Sequence, residues 1–136
     1  MLIGLAHVDL VCSDVDRSIA FYLAVLGPLG LQPPVTFDGE RGETIHYLRF
    51  PVGGSIGLRQ ALGEGADQDF ALYAPGLHHV AFAVASPEDV RAAHTEAVRA
   101  GAEVLHAPRG FPEYHPDYFA TFFLDPDGFR VEVRSR

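Results

Sequence analysis

His7, His79 and Glu132 are the residues of this chain whose types and placement could do metal chemistry. His7 opens the run His7-Val8-Asp9-Leu10-Val11-Cys12, and the pattern returns in His79-Val80-Ala81-Phe82-Ala83-Val84. Side chains alternate across a strand, so Val8, Leu10 and Cys12 share one face and His7, Asp9 and Val11 the other. The second copy divides in the same way, with Val80, Phe82 and Val84 opposite His79, Ala81 and Ala83. If the bulky face of each packs on a helix, both histidines point away from it. His78 then lies on the helix-facing side or at the strand end. Near the C-terminus, Phe129, Val131 and Val133 alternate with Arg130, Glu132 and Arg134, which adds a carboxylate to the open side. Two imidazoles and one carboxylate make up a facial triad with open coordination positions, suited to Fe(II), Mn(II) or a related divalent ion. Such an ion can take two adjacent oxygens of a small substrate and stabilise an enolate or oxyanion. A plainer reading competes: half-buried strand histidines, and Glu132 in a solvated, ion-paired row with its flanking arginines.

The elements that must position these residues follow from periodicity. A strand over 3–12 leads to a helix from Asp16 to Leu26, capped by Asp14 or Asp16, with Ile19, Tyr22, Leu23 and Leu26 on one face and Gly27-Pro28 as its stop. Extended patterns follow at Val35–Phe37, Thr44–Phe50 and Ser55–Arg59. The Gly-, Asp- and Ala-rich stretch 61–76 reads as a linker. The order then repeats. His78–Ala85 is a strand, and Ser86-Pro87-Glu88-Asp89 starts a helix that runs to Ala100 and ends at Gly101. Glu103–Ala107 is a short strand, 108–116 a loop, and Tyr118–Leu124 and Phe129–Arg134 are strands joined by Asp125-Pro126-Asp127-Gly128. The expected fold is α+β, with a strand–helix–three-strand module over 1–60, a linker over 61–76 and a second module over 77–136. Together they form one compact domain, with the open sheet faces cupped around a shared cavity.

Composition narrows the partners. A chain of 136 residues that is 48% apolar can bury a core. A net charge of −8 without a basic cluster excludes nucleic acid. No apolar run approaches the roughly 18 residues of a membrane span, and no signal segment is read at the N-terminus. The single cysteine, Cys12, sits in an apolar strand and reads as core. A cytoplasmic, soluble protein with a small-molecule substrate or ligand is expected.

LAHVDLVCSDVDRSIAFY, GLHHVAFAV and FFLDPDGFRVEV together resemble the vicinal oxygen chelate superfamily of glyoxalases, bleomycin-resistance proteins and extradiol dioxygenases. The resemblance covers nearly the whole chain. It implies two βαβββ modules around a metal, and it carries first-strand ligands onto His7 and His79 and a final carboxylate onto Glu132. A fourth ligand position falls within Ser55–Arg59, at Gly57, which has no side chain to offer. Relatives that use a second carboxylate there, the glyoxalase I-like enzymes, are therefore a poorer match than dioxygenase- or lyase-like ones. The implied ion is Fe, Mn, Zn or Ni. The resemblance also implies a homodimer, in which some relatives swap modules between subunits.

Around that centre, Glu113, Tyr114, His115 and Tyr118 are candidates for a general acid or base, because their loop precedes the Glu132 hairpin. His46 and Arg59, on first-module strands, are candidate substrate contacts, whereas His94 and His106 read as a helix-surface and a strand-end residue. The alternative to an enzyme is a metal-independent module that sequesters an antibiotic or natural product, with Tyr22, Phe37, Tyr47, Phe111, Tyr114 and Tyr118 as stacking surface.

Overall fold

The computed structural model describes residues 1–135 and divides into two units, Met1–Gln68 and Asp69–Arg136. Both are α+β and share one topology. In the first, β1 (His7–Cys12) is followed by α1 (Val15–Leu26) and the strands β2 (Val35–Asp38), β3 (Thr44–Arg49) and β4 (Ser55–Gln60). The sheet order is β1-β4-β3-β2, with β1 parallel to β4 and the other neighbours antiparallel. A parallel pair needs a long crossover connection, and here it contains the helix and the strands β2 and β3.

The second unit runs β5 (Val80–Val84), α2 (Pro87–Arg99), β6 (Val104–Gly110), β7 (Phe119–Leu124) and β8 (Arg130–Ser135), in the order β5-β8-β7-β6. Its helix start is the expected capping box. The Ser86 hydroxyl accepts from the Asp89 amide, and the Asp89 carboxylate accepts from the Ser86 amide.

Each sheet packs one face on its own helix. In the first unit Leu10, Cys12, Leu48, Ile56 and Leu58 are buried together with Phe21, Tyr22 and Val25 of α1. In the second, Phe82, Phe123, Val131 and Val133 are buried together with Val90, Ala93 and Ala97 of α2. Tyr22 is therefore a core residue and offers no stacking surface to a ligand.

Several boundaries differ from expectation, and β5 begins at Val80 where His78 was expected, so His79 immediately precedes the strand. The first strand begins at His7, not at residue 3, because its one partner, β4, begins opposite His7 at Ser55. Residues 1–6 precede that ladder and are exposed. In the second unit β6 extends through Pro108 to Gly110, where a loop was expected. It is an edge strand with register shifts on both sides of His106, so a proline lacking its N–H is tolerated.

Candidate functional site

The open face of the second sheet carries the chemistry of that unit. Ala81 pairs with Glu132 and Phe122 pairs with Glu132 from the other side, which places Ala81, Phe122 and Glu132 on one face. Glu132 is only 2% exposed, and Phe111, Ala120 and Phe122 form a buried apolar cluster on this side, with Tyr118 packed against it. The loop that supplies Phe111 and Tyr118 is closed by the Phe111 amide donating to the Tyr118 carbonyl at 2.7 Å and the Tyr118 amide donating to the His115 carbonyl at 3.0 Å.

A buried carboxylate is costly unless its oxygens are engaged. Glu132 meets this with two partners. The Tyr118 hydroxyl donates a short hydrogen bond to Oε1. The His79 Nε2 lies 3.3 Å from Oε2. Burial and the Glu132 carboxylate push the Tyr118 phenol up to about 12, so it stays protonated and acts as a donor at neutral pH.

His79 is itself oriented. Its Nδ1 lies 2.8 Å from Nδ1 of His78, so one ring donates to the other. A His79 ring protonated on Nδ1 presents the lone pair of Nε2 towards Glu132. A neighbour that fixes the second ring nitrogen is the usual support of a metal-binding histidine. The sequence alternation missed this role of His78, although the doubled His78-His79 was its visible signal.

The remaining loop candidates make no hydrogen bond to the His79–Glu132 pair, although the Tyr114 ring lies edge-on to that of Tyr118. Glu113 pairs with Arg109 at 3.5 Å, and the His115 Nδ1 accepts from the Asp117 amide at 3.3 Å. Tyr114 is 66% exposed and stacks on Phe111. None of the three hydrogen-bonds to His79 or Glu132. His94 is half-buried on α2, 3.4 Å from the Thr121 hydroxyl, and the His106 ring lies edge-on to Phe111 and Phe122.

The first unit has a separate polar cluster on the face that carries His7. Register places His7, Asp9, Ser55, Gly57, Arg59 and Tyr47 on this face. His46 pairs with Leu58 and so falls on the helix-packed side. His7 is exposed, with its ring centre 5.2 Å from that of Tyr47. The Arg59 guanidinium ion-pairs with Asp9 and donates to Glu43 at 3.0 Å, and the Tyr47 hydroxyl donates to Asp9 at 3.3 Å. Its own backbone amide and that of Arg41, and then Arg59, hold the Glu43 carboxyl below the usual range.

Gly57 lies directly beneath this cluster. A Cβ there would stand 2.2 Å from Asp9 Oδ1 and 2.8 Å from Tyr47 Cε1. The absent side chain is thus a clearance: the carboxylate over this part of the sheet comes from Asp9 on the neighbouring strand.

Among the described residues, no three His, Cys, Asp or Glu side chains gather as a metal cage. The second unit offers a two-residue donor set, one imidazole nitrogen and one buried, oriented carboxylate. That set fits a divalent ion that keeps further positions for other ligands.

Comparison with known proteins gives these features a setting. The sequence profile of the Glyoxalase/Bleomycin resistance protein/Dioxygenase superfamily matches residues 4–133. The YwkD protein of Bacillus subtilis (strain 168) is 28% identical over 140 residues, covering 98% of this chain and 97% of its own. A glyoxylase/bleomycin resistance protein/dioxygenase domain from Frankia sp. EAN1pec superposes with a TM-score of 0.82 at 28% identity, over 99% of this chain and 98% of that one. A variant of the fosfomycin resistance protein FosX from Listeria monocytogenes shares the fold, with a TM-score of 0.67 at 18% identity over 98% and 93% of the two chains. That FosX was crystallised with Mn(II) and 1S,2S-dihydroxypropylphosphonic acid.

Proposed function

The chain belongs to the Glyoxalase/Bleomycin resistance protein/Dioxygenase superfamily, and on that premise we propose that it is a metal-dependent enzyme acting on a small substrate with two adjacent oxygens. The observation that carries this reading is the buried Glu132 carboxylate facing His79 Nε2 at 3.3 Å, with the far side of each group already tied to Tyr118 or His78. FosX, of the same fold, binds Mn(II) together with a vicinal diol.

In this reading His79 and Glu132 hold the ion, and His7 is the candidate ligand of the first unit. When bound, a divalent ion would polarise substrate oxygens and stabilise negative charge developing on them. The protein's own part is orientation and exclusion of water. Tyr118 holds Glu132 in one rotamer by donating to Oε1, and as a protonated phenol it serves no base function at neutral pH. His78 fixes the His79 ring. Phe111 and Phe122 keep the carboxylate dry, which strengthens its attraction for a cation. With no carboxylate at Gly57, the reaction is dioxygenase- or lyase-like. A soluble cytoplasmic homodimer goes with this reading.

Elemental analysis of protein purified without chelator tests it. About one equivalent of Fe, Mn, Zn or Ni per chain is expected, retained in Gly57→Ala and lost in His79→Ala. Iron would favour oxygen chemistry, and the other three would favour lyase chemistry. Protein free of metal that still binds small aromatic ligands in EDTA would instead make it a sequestering module. The exposed Tyr114 and its stack on Phe111 would serve such a module.

A further inference from the structure

Arg130 and Arg134 stand on the same face of β8 as Glu132, one on each side of it. The chain has 18 acidic residues against 10 basic ones, all arginine, so carboxylate partners are abundant. Arg59, Arg91, Arg99 and Arg109 each meet one. Arg130 and Arg134 meet none among the described residues, and Glu132 beside them accepts from the Tyr118 hydroxyl and faces His79 Nε2 at 3.3 Å.

Both guanidinium groups lie against aromatic rings. The Arg134 group sits 4.2 Å from the centre of the Tyr118 ring, and that of Arg130 sits 4.9 Å from Phe122. Contact with a ring face limits the rotamers of a guanidinium while leaving its in-plane N–H groups free to donate. The Nε of each is buried without an acceptor, and each residue keeps part of its surface exposed. Two oriented cations without an ion-pair partner beside a buried carboxylate are poorly explained by folding stability, since the ring contacts leave the buried Nε–H groups without an acceptor. A planar oxyanion does offset it, because a carboxylate matches the guanidinium fork.

We infer that Arg130 and Arg134 are the anion-recognition groups of this site, and that its substrate is a small organic carboxylate. The inference deepens the function proposed above by naming the charge class of the substrate, and it rests on that reading for calling the bound anion a substrate. A net charge of −8 repels anions in general, so any anion held here is held by these local groups.

The test is an NMR titration of the full chain, labelled at arginine side chains, with glycolate. Glycolamide and sodium chloride at equal ionic strength are the controls. Glycolate is expected to shift the Arg130 and Arg134 Nε–H signals saturably, and neither control should do so. Replacing both by methionine should weaken glycolate binding at least about tenfold, the loss expected for a charge-assisted hydrogen bond. Arg130→Lys and Arg134→Lys, which keep the charge and lose the fork, should also weaken it. Arg99→Met, on the exposed side of α2, should not. Shifts reproduced by chloride, no saturable shift, or glycolate binding unchanged in the methionine variant would each overturn the inference. Running the titration in EDTA and again with Mn(II) separates the two readings. Glycolate binding through the arginines in a chain that binds none of Mn(II), Fe(II), Zn(II) or Ni(II) overturns the metal reading alone. Mn(II) binding with glycolate indifferent to the arginines overturns this inference alone.

Discussion

Glu132→Ala is expected to abolish divalent-metal binding, the largest single effect the structure implies. The substitution removes the one buried carboxylate beside His79 Nε2, and no other acidic side chain within the second unit hydrogen-bonds or ion-pairs with that histidine among the described residues. It also leaves the half-buried Tyr118 hydroxyl without its acceptor, a loss of about 1 kcal/mol. Glu132→Gln separates the two effects. The amide oxygen can still accept from Tyr118, so stability should recover while metal affinity stays low. Tyr118→Phe makes the converse change. The charge remains and its orientation is lost, so metal affinity should fall about 10- to 100-fold, the usual cost of removing a supporting contact. Mn(II) titrations followed by electron paramagnetic resonance, with thermal unfolding of the same samples, check all three. Equal affinity in wild type and Tyr118→Phe would remove Tyr118 from the site.

The second large effect is at Gly57. Gly57→Ala is expected to destabilise the first unit by about 2 kcal/mol, within the range for overpacking a filled space. The added Cβ would meet Asp9 Oδ1 at 2.2 Å and Tyr47 Cε1 at 2.8 Å. Neither can yield freely, since Arg59 and Tyr47 both hold Asp9, and the His7 and Phe37 rings flank Tyr47. In an Asp9→Ala background the first clash disappears, so the two substitutions should be non-additive by about 1 kcal/mol in chemical denaturation. A neutral Gly57→Ala, or strict additivity, would contradict the reading of Gly57 as clearance for Asp9.

Much of this was legible in the chain itself. Alternation after His7 and His79 assigned the helix-packed faces correctly, because Leu10, Phe82 and Val131 are large and apolar while their strand neighbours are not. The capping signal at Ser86 and the turn at Asp125–Gly128 placed their elements within a residue or two for the same local reason. What escaped depends on register between strands distant in sequence. The parity of His46 cannot be read from Thr44–Arg49, where Ile45, Tyr47 and Leu48 fit either face; pairing with Leu58 decides it. The Asp9–Arg59 ion pair bridges 50 residues, and the space above Gly57 exists only once β1, β3 and β4 are aligned. Likewise the Pro-containing stretch after Ala107 reads as a loop until its edge position is known. Arg130 and Arg134 were visible as a row with Glu132, and the competing plainer reading paired them with it, whereas they lie against Phe122 and Tyr118.

A divalent ion held by His79 and Glu132 would be located by anomalous diffraction from crystals grown with Mn(II). One strong peak is expected at coordination distance, roughly 2 Å, from His79 Nε2 and a Glu132 carboxylate oxygen. A fully occupied Mn(II) elsewhere, or no peak beside these two atoms at saturating Mn(II), would contradict it.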